Sequence, residues 1–132
     1  GGSGAVRVYR SMNENQTFTA SFGRNKWPVW GAAGGKDGSV NYFQFIDADG
    51  TVSEPMGIAA RRVMNTNDVV RMVTATGGGY GNPFKRPAEK VAMDVKNEYI
   101  TVEQAKADYG VLIDPETFKV LGLTEERQKA EK

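Results

Sequence analysis

The spacing of apolar residues changes at one place in this chain, the glycine-rich stretch GGGYGNPFKRP from Gly77 to Pro87. Before this stretch, short runs rich in β-branched and aromatic residues alternate apolar with polar positions, which is typical of half-buried β-strands. After it, the apolar residues recur with a period of about 3.6, the period of a helix. The sequence therefore predicts a single domain of α+β class: a β-rich body of paired antiparallel strands over residues 1–76, a glycine loop over 77–83, and two or three short C-terminal helices over 84–132.

Two hairpins are expected in the β-rich body. AVRVYR at Ala5–Arg10 and TFTASF at Thr17–Phe22 each alternate with period two and are separated by a turn-like MNENQ, so we expect them to pair. Ile58–Met64 and Asp68–Thr74 flank the short NTN segment and predict a second hairpin.

A further strand, VNYFQFI at Val40–Ile46, is followed by the turn sequence DADG and a short strand at Thr51–Ser53. DADG also resembles the start of a calcium loop, but the glutamate required at the twelfth position of an EF-hand is not in place. A turn is therefore favoured over a metal site.

The helical part has recognisable boundaries. Pro87 suits the first turn of a helix, and AEKVAMDVKNEYI places Val91, Met93, Val95 and Tyr99 among charged residues, which predicts one amphipathic helix of about three turns.

A second short helix follows. Thr101 and Gln104 form a capping box, and Gly110 is the residue type favoured just past a helix C-terminus. Val111–Ile113 then predicts a short apolar strand, and Thr124 caps a polar tail.

The glycine stretch does not have the spacing of a phosphate-binding loop. A P-loop requires Lys-Ser/Thr directly after its second glycine, whereas Asn82 and Pro83 follow Gly81. Pro83 also biases Asn82 toward an extended conformation, so we expect no helix to begin directly behind the glycines. A structural crossover that allows close backbone approach is favoured over an anion site built from backbone N–H groups.

Composition excludes most familiar catalytic sets. The chain has no cysteine and no histidine, so thiolate nucleophiles, thiolate zinc sites and the usual general base near neutral pH are absent. Seventeen basic and sixteen acidic residues are mixed along the chain, which does not favour nucleic-acid binding. No apolar run is long enough to cross a bilayer and no signal peptide is recognisable, so a soluble cytoplasmic chain is expected.

Two segments carry the candidate binding residues. Arg24, Lys26, Trp27 and Trp30 lie in the loop sequence FGRNKWPVWGAAGGKDG, and their cations and rings could hold an anion or cover an interface with a larger partner. We favour the interface, because Trp and Arg are enriched in interface hot spots. The glycine loop supplies the remaining candidates for an interface or a channel wall, Gly77, Gly78, Gly79 and Tyr80.

Acid–base chemistry has weaker candidates. Asp47 with Asp49, and Asp108 with Tyr109, place an ionisable pair close in sequence. A solvated turn and a helix C-terminus explain these pairs more simply. We therefore assign no catalytic residue and no metal ligand to this chain.

The order of motifs after the glycines resembles a known family. The text GGGYGNPFKRPAEKVAMDVKNEYITVEQAKADYGVLID, from Gly77 to Asp114, is similar to the C-terminal region of the hydantoinase B/oxoprolinase family, which comprises subunits of ATP-dependent hydantoinases, oxoprolinases and acetone or acetophenone carboxylases. Upstream, GGSGAVRVYR, FGRNKWPVWGAAGG and RRVMNTNDVVRMVTATGGG also resemble family segments, so nearly the whole chain is covered. The chain departs from the pattern at Asn82, where the family often has aspartate.

The resemblance implies a small structural subunit, or a detached C-terminal domain, of a multi-subunit ATP-dependent carboxylase of the acetophenone or acetone carboxylase type that completes a hydantoinase B-like partner. A fragment or subunit of an ATP-dependent hydantoinase or oxoprolinase, which hydrolyse cyclic amides, stays open. The implied partners are larger hydantoinase A- and B-like subunits in a hetero-oligomer, and ATP and a divalent metal are expected on those partners, with no cofactor in this chain.

A hypothesis of another class is a free-standing module that binds a small anion with Arg24, Lys26 and the glycine loop. Exposed apolar surface distinguishes this module from the structural subunit described above. A monomeric module buries nearly all of its large rings, whereas an obligate subunit leaves several uncovered until its partner binds. The rings concerned are Trp27, Trp30, Phe43, Phe45, Tyr80 and Phe84.

Overall fold

Five strands form the first of two compact units in the computed structural model, which describes residues 2–130. This unit 1 comprises the residues up to Ala32 together with Lys36–Tyr80, and unit 2 comprises Ala33–Gly35 and the residues from Gly81 onward. The strands of unit 1 are β1 (Val6–Arg10), β2 (Gln16–Ser21), β3 (Tyr42–Ile46), β4 (Ile58–Met64) and β5 (Val69–Val73). The α+β class with C-terminal helices is confirmed, and the single-domain organisation stays a prediction.

Both expected hairpins are wrong. β1 pairs with β5, with Val6 opposite Val73 and Arg10 opposite Val69, and β2 pairs with β4, with Gln16 opposite Met64. The strand order is β1-β5-β3 in one antiparallel sheet and β2-β4 in the other. A period-two pattern determines which face of a strand is buried but not which strand lies beside it, and this is why the partners could not be read from the sequence.

The segments that were expected to be hairpin turns instead bend the chain from one sheet to the other. Residues 11–15 join β1 to β2 and run beside residues 65–68, which join β4 to β5. The Ser11 N–H donates to Asp68 O at 2.8 Å, and the Asn67 N–H donates to Ser11 O at 2.9 Å. β1 and β2 therefore follow β5 and β4 as one long antiparallel ribbon that is bent at its centre.

The two sheets pack face to face on an aromatic core. Phe43, Phe45 and Val70 are buried on the three-stranded sheet, and Met64 is buried on β4. Phe18 of β2 meets Phe43 and Phe45 edge to face, with ring centroids 5.9 and 5.6 Å apart. This is a favoured aromatic geometry, so the rings contribute packing beyond their buried area.

The side chain of Arg62 covers one side of this aromatic core. The Arg62 guanidinium lies 5.0 Å from the centre of the Phe45 ring and 3.1 Å from Asp47 Oδ1. The outer edge of β3 is covered in the same region, because the Phe43 N–H donates to Met56 O and the Ser53 N–H donates to Phe45 O. The short strand expected at Thr51–Ser53 is present only as an isolated bridge between Ile46 and Val52.

The DADG segment is a turn. Asp49 Oδ1 accepts from the Thr51 N–H at 2.9 Å, and this hydrogen bonding lowers the pKa of Asp49. Within residues 2–130 no group of three or more His, Cys, Asp and Glu side chains is placed to hold a metal ion. No helix in the same part of the chain is long and apolar enough to cross a membrane.

Unit 2 contains three helices and a two-stranded sheet among its described residues. Its elements are a 3-10 turn (Pro83–Lys85), α1 (Ala88–Lys96), α2 (Val102–Tyr109), β6 (Val111–Ile113), β7 (Val120–Leu123) and α3 (Glu125–Ala130). β6 pairs antiparallel with β7, and the core consists of Val91, Val95, Ala105, Val111 and Ile113 with their neighbours. The 3-10 turn begins directly after Asn82, whose side chain accepts from the Phe84 N–H, so a short helical turn does follow the glycines.

The first helix is shorter than expected and buries a narrower face. It ends at Lys96, Val91, Ala92 and Val95 are buried, and Met93 is 54% exposed. Tyr99 lies beyond the helix and is 72% exposed, because Glu98 has a φ of 60° and turns the chain. Met93 and Tyr99 are therefore not part of the core.

The predicted boundaries of the second helix are confirmed. Thr101 Oγ1 accepts from the Gln104 N–H at 3.2 Å, and Gln104 Oε1 accepts from the Thr101 N–H at 2.9 Å. Gly110 is left-handed at φ 63°, and a Cβ there would lie 2.8 Å from both Thr124 Oγ1 and Arg127 Cβ. Glycine is therefore required at this position by conformation and by space.

A buried arginine holds the last described helix. Arg127 is 4% exposed, and its guanidinium donates to Tyr109 O and to Arg86 O, each at 2.9 Å. Arg86 also pairs with Asp94 at 2.7 Å. The sequence indicated only a polar tail after Thr124, and the structure shows that one of its cations is a core residue of unit 2.

Candidate interaction site

The two segments that the sequence singled out separately lie side by side where they belong to unit 1, that is, up to Ala32, from Lys36, and over Gly77–Tyr80. The Ala32 N–H donates to Gly79 O at 2.9 Å, and the Gly79 N–H donates to Lys36 O at 2.8 Å. Ala32 and Tyr80 also form a parallel bridge. The Trp27–Trp30 loop and the glycines of unit 1, Gly77–Gly79, are therefore neighbouring parts of one surface.

Side chains that flank the loop fasten it further. Ser39 and Thr76 exchange hydrogen bonds, since each backbone N–H donates to the other's hydroxyl at 2.9 Å. The Asn41 amide donates to Gly23 O at 2.7 Å and accepts from the Ala75 N–H at 2.6 Å. A loop this rich in glycine is thus held by hydrogen bonds within this chain, a long-range effect that its composition did not indicate.

Gly78 is required by close approach. A Cβ on Gly78 would overlap the carbonyl oxygen of Trp30, so no larger residue fits without moving one of the two backbones. The predicted close approach is therefore present at Gly78, whereas positive φ occurs later, at Gly81, with a value of 81°.

Two backbone N–H groups of the glycine stretch, those of Gly77 and Gly79, donate to carbonyl groups of this chain. The Gly77 N–H donates to Gly2 O at 2.9 Å, and the Gly79 N–H donates to Lys36 O. An anion cradle needs several free N–H groups that point into one concavity. The geometry therefore favours the structural role of these glycines over anion binding.

Three large rings stand exposed on this surface. Trp27, Trp30 and Tyr80 are 79%, 73% and 87% exposed, respectively. Phe43 and Phe45 are buried in the core of unit 1, and Phe84 of unit 2 is half-buried. Half of the rings that distinguish a subunit from a free-standing module are thus uncovered in this chain.

The cations of the loop differ in their surroundings. Arg24 has a left-handed backbone at φ 55° and places its guanidinium 6.0 Å from the centre of the Trp30 ring, at the limit of a cation–π contact. Lys26 is exposed. The acidic residue of the loop, Asp37, has one carboxylate oxygen committed to the Gly31 N–H at 2.8 Å. The surface therefore offers rings and cations and suits a partner that buries aromatic groups.

A second feature of unit 1 was not indicated by the sequence. Strand β1 is exposed along its whole length, and a cavity of about 430 Å³ opens between β1 and β2. The expected β1–β2 hairpin would have closed this opening. The one feature of the sequence that is typical of an edge strand is the pair of arginines, Arg7 and Arg10, within the five residues of β1.

Comparison with known proteins identifies the class. The family model described as Hydantoinase B/oxoprolinase matches residues 1–83. This chain therefore belongs to the hydantoinase B/oxoprolinase family, and the resemblance seen in the sequence is confirmed.

Individual relatives agree with this assignment. A protein of Pseudomonas sp. (strain NS671), named as the B-type subunit of a D-/L-hydantoinase, is 32% identical over 115 residues, which cover 86% of this chain and 19% of that protein. The beta subunit of the caprolactamase of Pseudomonas jessenii is 28% identical, with 86% and 20% covered. An uncharacterized protein of Methanocaldococcus jannaschii is 31% identical, again with 86% and 20% covered. The chain thus spans about a fifth of the length of the curated relatives it matches.

A solved structure shares the fold. The nucleotide-free structure of an acetone carboxylase superposes with a TM-score of 0.58 and 19% sequence identity, covering 76% of this chain and 17% of that one. At this identity the match supports the fold alone.

Proposed function

We propose that this chain is a structural, non-catalytic part of a hydantoinase B-type subunit within an ATP-dependent multi-subunit complex. Its role is to complete the fold of a larger hydantoinase B-like polypeptide and to hold that polypeptide against other subunits. ATP and a divalent metal bind to the partner chains in this proposal.

The observation that carries the proposal is the exposed aromatic surface of unit 1. Trp27, Trp30 and Tyr80 are all more than 70% exposed although they lie on backbone segments fixed by hydrogen bonds. Large rings on a rigid surface are typical of interface anchors, because little conformational entropy is lost when a partner buries them. A free-standing module would leave this surface in water at a considerable solubility cost.

The anion-binding alternative has less support. Its donors would be Arg24, Lys26 and the N–H groups of the glycine stretch, but the Gly77 and Gly79 N–H groups already donate within the chain. Arg24 lies against the Trp30 ring, where the guanidinium can stack in an interface. In this proposal Arg24 and Lys26 therefore flank the aromatic anchors and steer a partner of complementary charge.

Two reactions are candidates for the complex as a whole. Carboxylation of a ketone, of the acetophenone or acetone carboxylase type, is one reaction that the family resemblance implies, and an acetone carboxylase shares the fold of this chain. ATP-dependent hydrolysis of a cyclic amide is supported by relatives named for hydantoin and caprolactam chemistry at 32% and 28% identity. The structural role proposed for this chain is the same for either reaction.

The proposal is tested by purifying the tagged chain under mild conditions from its own source and measuring the native mass and composition of the complex. We expect hydantoinase A- and B-type polypeptides in fixed ratio with this chain. A chain that is purified alone and remains monomeric would refute the proposal.

The complex also distinguishes the two reactions. It is incubated with ATP and Mg²⁺ and either acetophenone or acetone with bicarbonate, or hydantoin or caprolactam. ATP consumption that depends on the ketone and bicarbonate identifies a carboxylase, and consumption that depends on the cyclic amide identifies a hydrolase. A variant complex with Trp27→Ala and Trp30→Ala should lose activity in proportion to the loss of this chain from the complex.

A further inference from the structure

Within residues 2–130, strand β1 has a partner strand on one side only. Among the described residues it lies at the edge of the β1-β5-β3 sheet, next to β5. All five of its residues are exposed, including Val6 at 55% and Val8 at 61%. An edge strand of this kind, with aliphatic side chains and no covering element, is a template for a further strand.

The peptide groups that face the free edge can be identified from the register. Ala5 and Thr74 bond across the ladder through Thr74 N–H to Ala5 O, and Ser11 and Asp68 bond at the other end. Hydrogen-bonded pairs alternate along an antiparallel ladder, so Arg7 and Tyr9 also bond to β5. The N–H and C=O groups of the intervening residues, Val6, Val8 and Arg10, therefore point away from β5.

A cavity lies beside this edge. It has a volume of about 430 Å³ and opens between β1 and β2, with Tyr9 and Arg10 on one side and residues 16–20 on the other. Core residues of unit 1 form its apolar lining, namely Phe18, Ala20, Met64, Val70 and Met72. The cavity thus leads from the surface to the hydrophobic core. We call the free edge of β1 and this cavity the open seam.

We propose that a β-strand from the rest of the hydantoinase B-type subunit pairs with the free edge of β1 and places apolar side chains in the cavity. The inference rests on the proposed function and specifies which surface of this chain is completed by the remainder of that subunit. The strand would gain ladder hydrogen bonds from Val6, Val8 and Arg10, and its inward side chains would cover the open core.

The length of the relatives supports this occupant. This chain covers only 19–20% of the relatives named above, so about four fifths of the subunit is supplied by polypeptide outside it. The cavity of about 430 Å³ is open at the surface, so the apolar part of its lining is in contact with water in the isolated chain. Filling it with aliphatic side chains removes apolar surface from water on both partners.

Charge disfavours a second copy of this chain as the occupant. β1 has two arginines, Arg7 and Arg10, and no acidic residue in five positions, and Arg71 lies opposite Val8 on β5. Pairing two copies of β1 would bring like charges together, which destabilises cross-strand neighbours. The added strand is therefore expected to combine aliphatic residues with Asp or Glu.

Hydrogen exchange tests the pairing directly. The probe is the hydantoinase B-type polypeptide that supplies the rest of the subunit, taken from the same source as this chain. On complex formation the amides of Val6, Val8 and Arg10 should slow at least tenfold. The amides of Arg7 and Tyr9, which already bond to β5, should change much less, and they serve as internal controls.

Proline substitution separates backbone pairing from side-chain contact. Val8→Pro removes an N–H that points away from β5, so the β1–β5 ladder is preserved, as is usual for proline on an edge strand. We expect it to raise the Kd for the same polypeptide at least tenfold. Val8→Ala keeps the N–H and should have a smaller effect, whereas Arg7→Pro breaks the ladder and should lower the Tm of the isolated chain.

Filling the cavity from within is the second variant. Ala20→Leu puts a larger apolar side chain into the cavity, so the isolated chain should keep its Tm or gain slightly, while the Kd rises at least tenfold. Ala107→Leu makes the same change at an exposed position of α2 and is the matched control. Ala20→Leu tests the inference even if Val8→Pro disturbs folding.

The outcomes distinguish the two proposals. If the polypeptide binds but the Val6, Val8 and Arg10 amides stay fast and both variants bind normally, the strand addition is refuted and the proposed function stands. If the polypeptide does not bind at all, both the strand addition and the proposed function are refuted. If the isolated chain forms dimers that protect the same amides, a second copy occupies the seam and the inference is wrong.

Discussion

Replacing Trp30 with alanine should cost more free energy of assembly than free energy of folding. Trp30 is 73% exposed, so only about a quarter of its surface is buried within unit 1. An aromatic side chain buries about 150–250 Å² in full, so the buried quarter corresponds to about 40–70 Å². At about 25 cal/mol per Å², its loss costs about 1–2 kcal/mol of folding free energy, and the Arg24 contact adds about 0.5 kcal/mol.

Trp30 is expected to contribute more free energy to the interface than to folding. If a partner covers the remaining three quarters of the ring, about 110–180 Å² of apolar surface is removed from water, which at the same coefficient gives an upper limit of about 3–4.5 kcal/mol. Hot-spot aromatics typically contribute at least about 2 kcal/mol, which corresponds to a Kd about 30-fold higher in the alanine variant. The Kd is measured by titration against the purified hydantoinase B-type polypeptide, and the Tm by thermal unfolding of the isolated chain.

A matched control is available in unit 2. Tyr99 is 72% exposed, nearly the same as Trp30, but it does not belong to the proposed surface. Tyr99→Ala should leave the Kd within about twofold of the wild-type value, a change of about 0.4 kcal/mol. An unchanged Kd for Trp30→Ala would refute the role of the exposed rings, as would equal effects of the two variants.

Three further predictions concern folding. Gly78→Val should lower the free energy of unfolding by about 1–3 kcal/mol in a denaturant titration, because its Cβ overlaps the Trp30 carbonyl, and a variant of normal stability would remove this account. Arg127→Met leaves the partly buried carbonyl groups of Tyr109 and Arg86 without these donors and should cost about 1–3 kcal/mol of folding free energy. Hydrogen exchange should show the loss within unit 2, and unchanged exchange there would contradict the role of this arginine. Hydrogen bonds from Thr117 lower the pKa of Asp114 in the folded chain. The Asp114 carboxylate therefore stabilises the fold above its unfolded pKa of about 3.9, and this stabilisation is lost as the pH falls through the lower folded pKa. Asp114→Asn should make the free energy of unfolding less dependent on pH in acid, and an unchanged pH dependence would refute this.

The family assignment and the local boundaries could be predicted from the sequence, whereas the strand partners could not. The capping box at Thr101 and Gln104 and the left-handed Gly110 involve residues a few positions apart, so their side chains indicate the structure. The candidate site was predicted as two separate segments. Their association depends on pairs such as Ser39 with Thr76, which are 37 residues apart and carry no recognisable sequence signal.

The sequence by itself determined which segments of this chain are strands and helices, because hydrophobic periodicity and capping act over one or two turns of backbone. Only the tertiary structure decided that β1 lies beside β5 and β2 beside β4. Alternation gives each strand a buried face, but many partners can cover the same face, and the choice is made by packing across the whole core. The open seam follows from that choice, since the pairing that local pattern favoured would have closed it.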